Sequence, residues 1–374
     1  MKFFTNIARV LIALVFILSG LLKANDPTGF GFKLTEYFEV FHLSALNPAA
    51  FTIACLVSIL EILIGYAMLM GIKPKLTAWS TFVMMLFFWL LVGFSAITGK
   101  VSDCGCFGDA VKFSLKQEFI NDSIFLLLII LILAGLKHIK PLIGGAIGMV
   151  GFIVVLFLSM GFTIKNYLYL PAKDFLPFKI GNSIQQNMVS YDPDVYENIF
   201  IYTYLPTGAD SSVNEARLKE IYHEGVDSLY KYKDRITKKI HEGAKAPIHD
   251  FIITDKEKND ATQTFFANDY KLVLTSYDLK KSNKGAFKKL AVLSNDWRKT
   301  GKDFWGLTNS LEAETESLRH DYQLFIDFYN LDGTPIKMMV RSNPGLLLIK
   351  KDVVIKKWSS YNIPSIEEVN KLLK

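Results

Sequence analysis

Three cysteines and one carboxylate are the residues whose types and spacing point to chemistry in the apolar half of this chain. Cys104 and Cys106 stand one residue apart in Ser102-Asp103-Cys104-Gly105-Cys106-Phe107-Gly108-Asp109, where the glycines allow a tight bend. A disulfide closed over a single residue departs from relaxed geometry, and strained disulfides are more oxidising and exchange more readily. The spacing suits thiol–disulfide exchange with a partner, with Cys55 as a third, resolving thiol. Two other readings stay open. One is a soft-metal site for Cu(I) or zinc, for which too few ligands are visible and no His accompanies the motif. The other is a purely structural loop. No metal set and no cofactor is assigned, and a quinone has no motif to support it.

Glu61 lies inside Ser58-Ile59-Leu60-Glu61-Ile62-Leu63. A carboxylate in such a run must be neutralised, paired or turned to a wet cavity, and is a functional candidate for that reason. The plainer reading is a buried hydrogen bond between helices. Arg9, Ser19 and Asn121 are the candidate partners. Arg9, Lys23 and Asp122 fall near helix ends, where long side chains snorkel cheaply, and a Lys23–Asp122 ion pair fits there. Cys55 and Glu61 are six positions apart, which turns them about 120° apart on a helix, so a direct thiol–carboxylate couple is not expected.

The elements that must position these groups are membrane-spanning. Five segments approach the roughly 20 apolar residues that cross a bilayer: 5–23, 51–71, 77–98, 119–136 and 141–163. No small-x-small cleavage pattern follows the first, so a retained helix is expected rather than a signal peptide. Lys2 and Arg9, Lys73 and Lys75, and Lys137 and Lys140 crowd the start and two short loops that hold no acidic residue. Basic loops stay cytoplasmic, which places the N-terminus inside and the C-terminal part outside, in a bacterial inner membrane. All three cysteines then lie toward the oxidising face. The chain of 374 residues carries a net charge of +6, but its basic residues are scattered, so nucleic-acid binding is not expected.

The first helix reads Phe16-Ile17-Leu18-Ser19-Gly20-Leu21-Leu22-Lys23-Ala24-Asn25-Asp26-Pro27 and resembles the signature of DoxX-type membrane proteins. Glu61 fits the same pattern, and Cys104-Gly105-Cys106-Phe107-Gly108 resembles the loop of the MauE branch, the methylamine utilisation proteins. The resemblance covers roughly residues 1–140 and implies a redox-associated role in maturing a disulfide-rich partner. It does not imply that methylamine itself is handled. A fifth span and a large C-terminal region depart from a bare four-helix unit.

Beyond residue 164 the composition turns polar, giving expected regions of 1–164 (bundle), 165–270 (tether and α+β extension) and 271–374. Pro171, Pro177 and Gly181 mark the tether over 165–190. Residues 199–204 read as a strand, 213–240 as charged helix, and 246–253 as the lead into a second β region. From 271 the expected order is strand, helix (286–300), strand (304–309), helix (311–321), a β region (325–330), a hairpin (346–358) and a final helix (364–373). That order resembles the thioredoxin fold. Pro344 takes the place of that fold's cis-proline, while Ser276-Tyr277-Asp278-Leu279 stands where its CxxC would follow the first strand. The fold class is therefore an α-helical transmembrane bundle of about five spans followed by a soluble α/β thioredoxin-like domain. Ser276, Tyr277, Asp278 and Pro344 are its candidate partner-binding residues, for an extended peptide rather than for dithiol chemistry. His249-Asp250 reads as a helix or strand cap in preference to an acid–base or metal pair, and His223, His241 and His320 as solvated.

The leading expectation is a membrane protein that exchanges thiols with an exported partner. The alternative is a non-enzymatic assembly scaffold, and a third reading is a small transporter or quinone-binding bundle centred on Glu61.

Overall fold

The computed structural model describes all residues except 102–107, 111–112, 143–144, 193, 224–226, 242, 244–245, 268 and 374. Cys104 and Cys106 lie outside the described residues. Among those described, five helices are long and apolar enough to cross a membrane. They are α1 (Lys2–Asn25), α3 (Ala50–Met70, prolonged by a 3-10 turn from Ser44), α4 (Pro74–Thr98), α5 (Leu115–Ala134) and α6 (Gly145–Leu168). The connection after α1 holds a further helix, α2 (Pro27–Val40). Asp26 starts it: Gly29 N–H donates to the Asp26 carboxylate at 2.8 Å, and Pro27 supplies a preset φ at the first helical position.

The two helices that hold the buried charges approach each other most closely at a glycine on each, Gly20 of α1 against Ser58 and Ile62, and Gly65 of α3 against Ala13 and Ile17. A Cβ on Gly20 of α1 would lie 2.9 Å from Ser58 O and from Ile62 N of α3. A Cβ on Gly65 would lie 2.9 Å from Ala13 O and from Ile17 N. Backbone atoms cannot step aside as a side chain does, so small residues at both crossings let the helices approach this closely. Ser19 and Lys23 are thereby brought to Glu61. Gly20→Val should push α1 from α3 and cost about 1–3 kcal/mol, as overpacking does. Thermal unfolding in detergent checks this against Gly161→Val, where a Cβ meets nothing within 4 Å. Equal melting temperatures for the two variants would contradict the close crossing.

One end of the bundle is tied by Arg9. Its Nε donates to Met68 O at 2.9 Å, Nη2 to Leu69 O at 2.7 Å and Nη1 to Lys140 O at 3.1 Å. These carbonyls belong to the end of α3, which closes on Gly71 in the left-handed region, and to the basic loop before α6. Arg9 is only 3% exposed, so it neither snorkels nor partners Glu61 as the sequence suggested.

The chain divides into two compact units, Met1–Asn182 with Ile252–Lys374, and Ser183–Phe251. The second contains α7 (Ile184–Asn187), β1 (Val195–Tyr204), β2 (Ala209–Asn214), α8 (Glu215–His223) and β3 (Tyr230–His241). Its three strands form an antiparallel sheet in the order β2-β1-β3. The helix expected over 213–240 is thus corrected to a short helix and a 12-residue strand. Tyr230, Tyr232 and Ile236 alternate with Lys231, Lys233 and Arg235, a strand period that the density of charge obscures. The β region expected near 246–253 is absent from the described strands, with only single bridges at Thr254 to Asp260 and Asn330.

Within the first unit the C-terminal part comprises α9 (Thr262–Ala267), β4 (Tyr270–Ser276), α10 (Lys284–Arg298), β5 (Asp303–Thr308), α11 (Glu312–Tyr322), β6 (Asp327–Asn330), α12 (Gly333–Met339), β7 (Gly345–Lys350), β8 (Val353–Trp358) and α13 (Ile366–Asn370). The sheet runs β6-β5-β4-β7-β8, with β4 parallel to β5, β5 parallel to β6, and β7 antiparallel to both β4 and β8. Leu272 and Leu274 of β4 and Leu346 and Leu348 of β7 share a core with Phe287, Leu290 and Trp297 of α10. The Asn343–Pro344 bond is cis. The chain is therefore a helical bundle succeeded by an α/β region.

Candidate functional site

A buried ion pair lies inside the bundle. Glu61 of α3, 2% exposed, meets Lys23 of α1, 1% exposed, with Nζ to Oε1 at 2.5 Å. Ser19 completes the arrangement: its hydroxyl donates to Glu61 Oε2 at 3.0 Å and accepts from Lys23 Nζ at 3.0 Å. The Lys23 ammonium also stands 4.3 Å from the Phe88 ring centre and 5.3 Å from that of Phe30. Of the partners the sequence offered for Glu61, Ser19 is confirmed. Arg9 is spent on backbone carbonyls, and Asn121 is not a hydrogen-bond partner of Glu61 among the described residues. The Lys23–Asp122 pair expected at a wet helix end gives way to a buried Lys23–Glu61 pair.

The reason lies in helix geometry. Side chains of a helix lean toward its N-terminus, so a lysine near the C-terminal end of α1 reaches back along the span. Ser19 and Lys23, four residues apart, share one face, and their spacing on the glycine-bearing side of α1 was the signal that could have identified the pair.

Around the Lys23–Glu61 pair lies a cavity of about 30 Å³, walled by Val15, Phe16, Met85, Phe88 and Phe125 and by Asp122 of α5. Asp122 is 4% exposed, and its Oδ2 has no hydrogen-bond partner. Glu118, one turn earlier on the same helix, is buried as well.

The residues just after Lys23 fasten the bundle to the C-terminal part of the same unit. Asn25 Nδ2 donates to Lys173 O at 2.8 Å, and Lys173 N–H donates back to Asn25 Oδ1 at 2.9 Å. Asn166 of α6 donates to Ala24 O at 3.0 Å. Asp26 accepts from Arg341 Nε at 2.7 Å through the oxygen that does not cap α2. Lys357 of β8 pairs with Asp174 at 2.7 Å, and its burial lowers the ammonium below the usual lysine range, against the pull of that carboxylate.

Ser276, Tyr277 and Asp278, proposed from sequence to bind a partner, do converge on the proline loop. Ser282 links them: its hydroxyl lies 2.9 Å from Ser276 Oγ and donates to Asn343 Oδ1 at 3.0 Å and to Asp278 O at 3.1 Å. Asn343 Nδ2 donates to Asp278 O at 2.8 Å, while its own carbonyl accepts from Asn283 N–H at 3.0 Å. Ser276 is buried, and Tyr277 is half-buried with its ring edge-on to Phe32 of α2 at 5.3 Å. Burial first, then the neighbouring Tyr167 and Asp278, push the Tyr277 hydroxyl up to about 12. This corner faces the bundle across a cavity of about 330 Å³, which Phe51, Tyr167, Tyr361, Asn343 and Arg341 help to line. Cys55, half-buried with a free thiol, is within electrostatic range of Tyr167 and not bonded to Glu61. His249 and Asp250 are exposed and 4.0 Å apart. No group of three or more potential metal-ligating His, Cys, Asp or Glu side chains occurs among the described residues.

These helices and their buried charges define a multi-pass membrane bundle carrying an α/β region. Residues 1–135 match the family described as methylamine utilisation protein MauE. The match covers α1 to α5 and includes Lys23, Glu61, Asp122 and all three cysteines. No curated protein matches the chain.

Proposed function

We propose that this protein is a membrane-embedded partner in thiol–disulfide exchange that assists maturation of exported, cysteine-containing proteins. The observation that carries the reading is the MauE match over residues 1–135, which encloses the Cys104-Gly105-Cys106 pair. In the exchange, a thiolate of the pair attacks a disulfide sulfur of the partner and releases the partner's other sulfur as thiolate. The second cysteine of the pair then attacks the mixed disulfide, so the partner leaves as a dithiol and the pair as a disulfide. The reverse sequence oxidises the partner. The reading places the protein in a bacterial inner membrane with its N-terminus cytoplasmic and the α/β region outside, where the basic loops and the oxidising compartment both favour it.

The parallel β4-β5-β6 order, the antiparallel β7-β8 hairpin and the cis Asn343–Pro344 bond support a thioredoxin-like reading of the C-terminal part. That part holds no cysteine, so its role in the exchange is to position rather than to react. A second reading, an assembly scaffold without exchange chemistry, is favoured by the packing of Tyr277 on Phe32 and by the same lack of thiols.

Maleimide gel-shift of the full-length protein in membranes separates the two. Exchange predicts a reductant-sensitive disulfide between Cys104 and Cys106 and, in Cys106→Ser, a trapped mixed disulfide with another protein. Thiols that stay reduced in an oxidising compartment, with no trapped partner, leave the scaffold.

A further inference from the structure

We propose that the cavity between Lys23, Glu61 and Asp122 is a binding site for one exchangeable monovalent cation, a proton or a sodium ion, held by Asp122. Charge balance makes the case. Lys23 and Glu61 neutralise each other at 2.5 Å, and the Ser19 hydroxyl is used by both. The remaining sides of the ammonium face the Phe88 and Phe30 rings. Asp122 is thus a carboxylate left over: 4% exposed, lining the cavity, with an oxygen that nothing in the described structure satisfies. Buried polar groups in a bundle core are satisfied almost without exception, and those in membranes most of all.

Among the described residues, the groups around Asp122 offer it no second cation. From α5 itself comes Glu118, 6% exposed and within electrostatic range. From α1 comes Lys23, already paired, and from α3 Glu61. From α4 come Met85 and Phe88, which carry no charge. On α2, Lys33 and Glu36 pair with each other at 3.2 Å. Among the described residues the one ammonium at the cavity is thus held by Glu61, and the cation that balances Asp122 comes from solution.

Size selects the occupant. A cavity of about 30 Å³ holds one or two water molecules or a small ion, at about 10–15 Å³ for each water. Pockets that take drug-sized molecules start near ~300 Å³, so a ring does not enter here. A proton taken from hydronium leaves a carboxylic acid on Asp122 and a water in the cavity. A sodium ion would instead take Asp122 Oδ2 and that water as ligands.

Infrared difference spectroscopy of the full-length protein in nanodiscs, titrated with acid in potassium and then in sodium buffer, tests the site with the cations themselves. The expected result is a protonated-carboxyl C=O band that grows as pH falls and is lost in Asp122→Asn. If sodium is the occupant, adding it at constant pH removes the band from the unchanged protein and does nothing to the variant. Should Asp122→Asn fail to fold, isotopically labelled aspartate in the unchanged chain replaces it, and the band must shift with the label. Spectra that are the same in Asp122→Asn and the unchanged protein across both titrations, or a band that ignores the label, would overturn the proposal.

Discussion

Lys23→Met is expected to destabilise the bundle by about 3–5 kcal/mol, and Lys23→Met with Glu61→Gln together to recover most of that loss. The single variant strands Glu61 at 2% exposure with only the Ser19 hydroxyl for support, in a cavity it shares with Asp122. Breaking a buried pair from one side costs far more than replacing both partners by neutral groups of similar shape. Met keeps the length of the lysine stem against Phe88 and Phe30, so lost packing contributes little. Glu61→Gln alone should cost less than Lys23→Met, because the freed ammonium still has Asp122 within electrostatic range. Reversible unfolding in mixed micelles measures all four corners of the cycle, and the coupling between the two sites is the quantity to read. A double variant no more stable than Lys23→Met would mean that the 2.5 Å contact is incidental to stability.

The spans were legible because a bilayer demands length and apolarity in one uninterrupted run, and each of the five segments meets that demand locally. The C-terminal order of strands and helices was legible for a similar reason: β4 and β7 are buried on both faces and read as continuous apolar runs between helical patterns. Pairing inside the bundle was not. Whether a lysine at residue 23 reaches outward to water or back into the span depends on helix direction and on Gly20 and Gly65 bringing α3 within reach. Arg9 shows the same limit, since its acceptors are carbonyls from the ends of other elements, which sequence spacing does not place. The strand β3 was missed because half of its residues, such as Lys231 and Lys239, are charged, and a charge-rich run resembles an exposed helix as readily as an exposed strand. Its partner β1, with aromatic and β-branched residues, was plain.

The segment Lys23-Ala24-Asn25-Asp26-Pro27 couples the bundle to the α/β region. Within five residues it supplies the buried cation, a two-way hydrogen bond to the chain at Lys173, the cap of α2 and the carboxylate that holds Arg341. Asp26 serves two partners, Oδ1 for Gly29 N–H and Oδ2 for Arg341, and Asn in its place would keep the cap while losing the charge. Arg341 is 6% exposed, its Nη1 donates to Lys337 O at the end of α12, and its guanidinium lies 5.8 Å from the Phe32 ring centre. Removing either partner leaves the other charge buried and uncompensated, which costs about 3 kcal/mol or more. Arg341→Gln and Asp26→Asn should therefore each loosen the α/β region from α2, and the two together should restore much of the contact. Hydrogen exchange read by mass spectrometry is the direct measure, because loosening must speed exchange in α2 and α12 together while leaving β4 and β7, in the core of the sheet, protected. Faster exchange in α12 with α2 unchanged would show that Arg341 merely braces its own helix. Coupled loosening of both would establish Asp26–Arg341 as the bond through which the bundle fixes the Tyr277 and Asn343 corner above the cavity it shares with Phe51 and Tyr167.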